Sequence, residues 1–290
     1  MGEDKLFGVR DPKGFRPLML GRFSSGGYAL ASEIGALDIM GASFEREVER
    51  GEIVEIDTEG IKSHMPFDPS EIKKKLCSYE FIYFSRPDNI LEDELVATTR
   101  RRAGLELGRM FPADVDLVTD APNSGTSAAK GFAYKTGLPL LEGLVKNQYV
   151  GRTFIDINPG MLIDAKLKAV RRIVEGQRVA VVDDSIIRGN TTRKVVTMLR
   201  EAGAQEVHLR IASAPYQWSC FYGMDTGDRE TLIAAHMSVE EMRVALRADS
   251  LEFLPLRELE ITFGKAAGKV CMACMDGRYP TKVPEEMLKI

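Results

Sequence analysis

One stretch narrows the folds open to this chain more than any other. Arg178-Val179-Ala180-Val181-Val182 reads as a short apolar strand that runs directly into Asp183-Asp184-Ser185-Ile186-Ile187-Arg188-Gly189-Asn190-Thr191-Thr192. A helix follows, with Val195, Met198, Leu199 and Ala202 at i, i+3, i+4 and i+7, a single apolar stripe stopped at Gly203. The same order occurs upstream, where Val115-Asp116-Leu117-Val118 enters Pro122-Asn123-Ser124-Gly125-Thr126 and then a helix from Ser127 to Lys135, stopped at Gly137. Strand, loop and helix in repetition, continued by a strand from Glu206 to Ala212, predict a parallel sheet with crossover helices. The first 65 or so residues have a different rhythm. Leu18-Met19-Leu20-Gly21, Tyr28-Ala29-Leu30-Ala31 and Ile53-Val54-Glu55-Ile56 are separated by turn-forming residues and predict antiparallel β structure. The two halves are therefore expected to be different folds.

Charge restricts what such a chain can bind. With 39 basic against 43 acidic residues the net charge is −4, so no global field favours nucleic acid or an anionic membrane, and any bound anion must be held by a local site. Hydrophobic residues at 44% and charged residues at 28% exclude collagen-like, coiled-coil and disordered chains. No apolar run approaches the roughly 20 residues needed to span a bilayer, and Met1-Gly2-Glu3-Asp4-Lys5 does not open a signal peptide, so a cytoplasmic location is expected. The 4 cysteines are too few for a disulfide scaffold in 290 residues; core, metal and catalytic roles stay open for them. Cys77 and Cys220 stand alone, whereas Cys271-Met272-Ala273-Cys274 is a C-x-x-C pair.

An apolar strand ending in adjacent carboxylates, followed by a Gly/Thr loop at a helix start, can do two things together. Amides and hydroxyls at the helix N-terminus can cradle a phosphate, while Asp183 and Asp184 can hold ribose hydroxyls or an oxygen-seeking cation such as Mg²⁺. Open α/β sheets place ligands at this end of their strands. The simpler alternative is that the two acids cap the helix.

The full string Val181-Val182-Asp183-Asp184-Ser185-Ile186-Ile187-Arg188-Gly189 resembles the phosphoribosyl pyrophosphate (PRPP) signature of type I phosphoribosyltransferases. Phe81 to Asp88, Lys146 to Ile155 and Cys220 to Thr226 narrow the resemblance to the amidophosphoribosyltransferases, and it runs through essentially the whole chain. The contexts of Cys77, Cys220, Cys271 and Cys274, with the tail Gly277 to Thr281, resemble the iron–sulfur branch of that family. The resemblance implies a type I phosphoribosyltransferase parallel sheet with flanking helices, preceded by an antiparallel β portion of an N-terminal-nucleophile glutaminase domain. It divides the chain into residues 1–76, 77–263 and a tail 264–290. The implied reaction moves nitrogen to C1 of PRPP and releases pyrophosphate.

By the same resemblance, Gly189, Asn190, Thr191 and Thr192 would hold the 5-phosphate, with Ser185 and Arg188 in the same binding string. Asp183 and Asp184 would hold the ribose diol and, with Ser124, Mg²⁺; Ser124, Gly125 and Thr126 would hold the pyrophosphate. Lys146, Tyr149 and Arg152 would close over PRPP and exclude water. Cys77, Cys220, Cys271 and Cys274 would bind a [4Fe-4S] cluster; zinc or buried thiols are the alternatives. Purine nucleotides as inhibitors and a homo-oligomer are also implied.

Residues 1 to about 65 resemble only the last part of the family's glutaminase domain, and no counterpart of its N-terminal cysteine precedes Cys77. The expectation is a transferase that uses ammonia or a separate glutaminase chain. Asn123, Gln148 and Asn190 stand where the family usually carries Asp, Arg and Thr, and the segment from Ile155 to Lys166 is shorter than the family's. These departures point to the alternative, a non-catalytic relative that binds PRPP or purine nucleotides or pairs with a partner chain.

Overall fold

The short apolar stretches of the first 65 or so residues pair as antiparallel strands. A computed structural model describes residues 4–147, 167–226 and 228–284, and the chain forms two compact units within it. One unit holds residues 1–97 with 263–272 and 279–281; the other holds 98–262 with 273–278 and 282–290.

In the first unit β1 (Leu6–Val9), β5 (Ile53–Asp57) and β6 (Gly60–His64) make one three-stranded sheet in the order β1-β5-β6. A second three-stranded sheet runs β3-β2-β4, from β2 (Met19–Phe23), β3 (Tyr28–Ala31) and β4 (Ala42–Glu47). Leu20, Val48, Val54 and Ile56 form their shared core. The expected antiparallel character is borne out, with one addition. Ile34–Met40 is a helix, ended by Gly41 in the left-handed region at φ 76°, where a side chain would be strained. Buried Glu52 ties the loops together: burial would raise its pKa, but the Arg46 guanidinium, the Ser63 hydroxyl and the Glu49 N–H all donate to it and hold it at about 2. Further on come β7 (Leu76–Cys77) and the hairpin of β8 (Ile90–Leu91) with β9 (Glu94–Leu95).

The second unit is built on a four-stranded, all-parallel sheet in the order β10-β13-β14-β15. Its strands are β10 (Leu117–Asp120), β13 (Arg178–Asp183), β14 (Glu206–Ile211) and β15 (Ser250–Phe253). Between them lies a two-stranded antiparallel ribbon of β11 (Leu144–Lys146) and β12 (Leu167–Ala169). Val179, Val181, Val207, Leu209 and Ile211 pack with Val195, Val196 and Leu199 of the helix Asn190–Glu201, whose predicted stripe is the buried one. The parallel α/β sheet expected from the repeated strand-loop-helix order is thus present. Back in the first unit, β16 (Val270–Cys271) pairs in parallel with β7, so Cys271 lies in register with Cys77. No helix among the described residues is long and apolar enough to cross a membrane.

Two helices of the second unit meet main chain to main chain. A Cβ on Gly104, in the helix Val96–Met110, would lie 1.8 Å from the carbonyl oxygen of Ala128, and one on Gly131, in the helix Thr126–Thr136, 2.1 Å from that of Arg101. Mid-helix glycine costs about 1 kcal/mol against alanine. Here the missing side chains permit a contact that nothing larger allows. Gly104→Ala is expected to lower unfolding stability by about 3 kcal/mol, the upper end for overpacking, because backbone rather than a side chain must yield. Chemical denaturation checks this; a variant as stable as the parent would refute the contact.

Candidate functional site

The parallel register decides which loops meet. Asp120 ends β10 opposite Val182 of β13, and Asp183 ends β13 one position later, so both strands deliver a carboxylate at the same edge of the sheet. The loop after β10 lies across the end of β13. Ala121 N–H donates to the Val182 carbonyl at 3.0 Å, and a Cβ on Gly125 would stand 2.4 Å from that same oxygen and 3.2 Å from the Asp183 Cα. Only glycine fits at 125. Ser124, Gly125 and Thr126 are therefore held beside Asp183 and Asp184, and these two groups of expected residues do come together.

Neither helix start is capped by a side chain. Gly125 precedes the helix Thr126–Thr136 and Gly189, at φ 78°, precedes the helix Asn190–Glu201, and no side-chain cap hydrogen bond is made at either. The acids at 183 and 184 are thus not helix caps. An Asp183 carboxylate oxygen accepts the Asp184 N–H at 2.8 Å, and buried Asp184 accepts the Ser185 hydroxyl at 2.5 Å. Burial pushes the Asp183 pKa well up, and the charges of Asp184 and Asp120 push it further in the same direction. Crowded negative charge of this kind is relieved by neighbouring positive charge or by protonation, and Asp120, Asp183 and Asp184 do not form a three-residue group that could hold a metal ion.

Three expectations need amendment or lie outside the described residues. Asn190, Thr191 and Thr192 are not loop residues but the first turn of their helix, since Gly189 in the left-handed region supplies the whole reversal. Arg188 donates to the Thr226 carbonyl at 3.3 Å. Lys146 is exposed on β11, opposite Leu167, while Tyr149, Arg152 and the Gln148 substitution fall outside the described residues.

A cavity of about 870 Å³ opens beside the first loop. Asp120, Asn123, Thr126 and Lys146 line it, together with Lys130 and Glu142. Sequence reasoning missed Asp120, whose carboxylate accepts the Thr126 hydroxyl. Only the strand's continuation two residues beyond Val118 gives it away.

The cysteines divide between the units. Cys77 and Cys271 are strand neighbours in the first, and in the second the Cys274 carbonyl accepts the N–H groups of Gln217 and Trp218, the latter two residues before Cys220. Among the described residues no group of three or more His, Cys, Asp or Glu could hold a metal ion, so the four thiolates do not form a ligand set there.

No protein-family profile matches the chain. Curated proteins do. The chain is 46% identical over 285 residues to the amidophosphoribosyltransferase of Synechocystis, across 97% of its own length and 57% of the relative's. It is 46% identical over 293 residues to chloroplastic amidophosphoribosyltransferase 1 of Arabidopsis thaliana, across 99% and 51%. A solved glutamine PRPP amidotransferase from B. subtilis, complexed with ADP and GMP, superposes with a TM-score of 0.89 at 44% identity, covering 100% of this chain and 65% of that one. The chain spans little more than half the length of the curated relatives it matches. Over the part of them that it spans, the chain is similar in sequence and in fold to the amidophosphoribosyltransferases.

Proposed function

We propose that this chain carries out the phosphoribosyl-transfer half of the amidotransferase reaction of purine synthesis. PRPP and ammonia give 5-phosphoribosylamine and pyrophosphate: the bond from C1 to the pyrophosphate oxygen breaks, a C1–N bond forms, and the nitrogen sheds a proton. The observation that carries this reading is the meeting of two uncapped helix starts and an acid pair at one sheet edge. In this reading the helix-start N–H groups of Asn190, Thr191 and Thr192, the Asn190 side-chain amide and the two threonine hydroxyls hold the 5-phosphate, with Ser185 and Arg188 beside it. The Ser124-Gly125-Thr126 loop holds the pyrophosphate, whose cavity lies alongside.

Asp183 and Asp184 orient the ribose diol and, with Ser124, would hold Mg²⁺. When bound, that ion supplies charge neutralisation of the departing pyrophosphate. C1 gains oxocarbenium character as its bond opens, so this chain's work is to hold the leaving group and keep water away rather than to activate the nucleophile. Lys146, with Tyr149 and Arg152, is assigned to closure over PRPP. The nitrogen arrives as ammonia, free or from a glutamine-hydrolysing partner. Purine nucleotides enter as regulatory ligands because the B. subtilis relative is complexed with ADP and GMP, and assembly into a homo-oligomer belongs to the same reading.

A [4Fe-4S] cluster on Cys77, Cys220, Cys271 and Cys274 rests on the resemblance and on thiolate chemistry, although the four thiolates do not form a ligand set among the described residues, and no step of the transfer runs through it. Protein purified without oxygen is expected to contain four irons and four sulfides per chain; iron-free folded protein would remove the cluster.

Pyrophosphate release from PRPP with Mg²⁺ and ammonium tests the transfer itself. Release is expected. PRPP binding without release would instead favour the non-catalytic relative, for which Asn123 in the cavity wall speaks.

The crowded carboxylates add a prediction of opposite sign for stability. A carboxyl with a raised folded-state pKa stabilises fully below the ordinary Asp pKa, and that stability is lost as pH rises through the shifted value. Asp183→Asn should therefore raise the melting temperature of cation-free protein at pH 7, by about 2–4 °C per kcal/mol of strain relieved. It should abolish Mg²⁺-dependent PRPP binding at the same time. A lower melting temperature with binding retained would contradict both assignments.

A further inference from the structure

Two lysines reach the cavity beside the Ser124–Thr126 loop, from different elements. Lys146 projects from β11; Lys130 comes from the helix Thr126–Thr136, four residues after Thr126 and so on the same helix face. Among the described residues no carboxylate forms an ion pair with either ammonium. The rest of the wall is unsuited to an anion: Asp120 and Glu142 are acidic, and Asn123 is neutral. An inorganic pyrophosphate group carries about three negative charges near neutral pH. With Lys146 alone the charged wall would carry a net negative charge and repel such a group; Lys130 brings the wall to neutrality, which leaves the pyrophosphate charge to be met by helix-start amides and a cation.

The Asp120 carboxylate is also partly occupied, because it accepts the Thr126 hydroxyl. That bond turns the hydroxyl hydrogen toward Asp120 and fixes the first residue of the helix that carries Lys130. Helix start, threonine and lysine are thereby aligned on one cavity, with a rigid backing where Gly131 meets the neighbouring helix.

We infer that Lys130 is a pyrophosphate-binding residue that, with Lys146, determines the site's preference for a diphosphate over a single phosphate at C1. This inference rests on the reading of the chain as a PRPP-binding transferase and adds a residue to it. Lys130 is solvent-exposed at its free tip, so its replacement should leave the fold intact.

Titration calorimetry of the full chain with Mg²⁺ and two probes, inorganic pyrophosphate and ribose 5-phosphate, tests the inference and its premise separately. Lys130→Ala is expected to weaken pyrophosphate binding about tenfold, the loss of one charge-assisted contact, and to leave ribose 5-phosphate binding unchanged. Lys130→Arg should restore most of the affinity, and Lys135→Ala, which removes an exposed charge from the last turn of the same helix, should change neither. Equal pyrophosphate affinity in Lys130→Ala and parent overturns the role of Lys130. Parallel weakening of both probes, or a Lys135→Ala loss as large, also overturns it by showing a general effect. A parent chain that binds ribose 5-phosphate but no pyrophosphate overturns the inference alone. One that binds neither overturns the premise with it.

Discussion

Two parallel strands that end together with carboxylates on their last residues set the terms for the second unit. Asp120 and Asp183 occupy neighbouring strand ends because the register of β10 on β13 leaves no other arrangement, and Asp184 follows immediately. Negative charge gathered at a half-buried edge is unfavourable by itself, and Asp183 shows it by holding its proton more tightly. What relieves the crowding must bring positive charge. The surroundings offer that in graded form, as unsatisfied helix N–H groups, lysines at the cavity rim and room for a divalent ion. Positive charge brought to this edge would lower the electrostatic cost of the crowded carboxylates.

The glycines explain why the site can be assembled there. Gly125 lets the first loop lie directly on the end of β13, and Gly189 turns the chain from strand end into helix without an intervening loop. Together they bring two helix starts toward one edge, so the groups offered to a ligand there come from backbone geometry more than from side-chain choice. That division bears on Asn123 and Asn190, the two substitutions described here. Each changes a side chain beside a helix start whose main-chain amides are unaltered, and Asn190 still occupies the first helical turn.

Much of this was readable before any coordinates. The run from Arg178 to Val182 could only be a buried strand, the stripe from Val195 to Ala202 faces the sheet as its spacing requires, and the acid pair sits at the strand end. Other features were hidden for identifiable reasons. Asp120 gives no signal in the sequence because the apolar run stops at Val118, and only hydrogen bonding to β13 carries the strand on through Thr119 and Asp120. Asn190 to Thr192 were read as loop because Gly189 and the polar residues after it look like a turn, although the left-handed glycine compresses that turn to one residue. The helix Ile34–Met40 lies among strands, and its seven residues are too few to register a helical period. Lys130 gives no signal at all: a lysine on a helix reads as a solvated face until it is seen to line one cavity with Leu141 and Glu142.

The close crossing at Gly104 and Gly131 has a consequence for binding entropy. Main chain packed on main chain has no rotamers to explore, so the helix beneath the Ser124–Thr126 loop is settled when the protein folds and has little freedom left to lose afterwards. Across the cavity Lys146 stands on a ribbon of only two short strands, a kind of structure with small stability of its own. One wall is thus pre-organised and the other compliant. The ordering cost of taking up a ligand falls almost wholly on the ribbon side, which makes that side, and not the strand ends with their carboxylates, the place where affinity can be tuned without disturbing the chemistry.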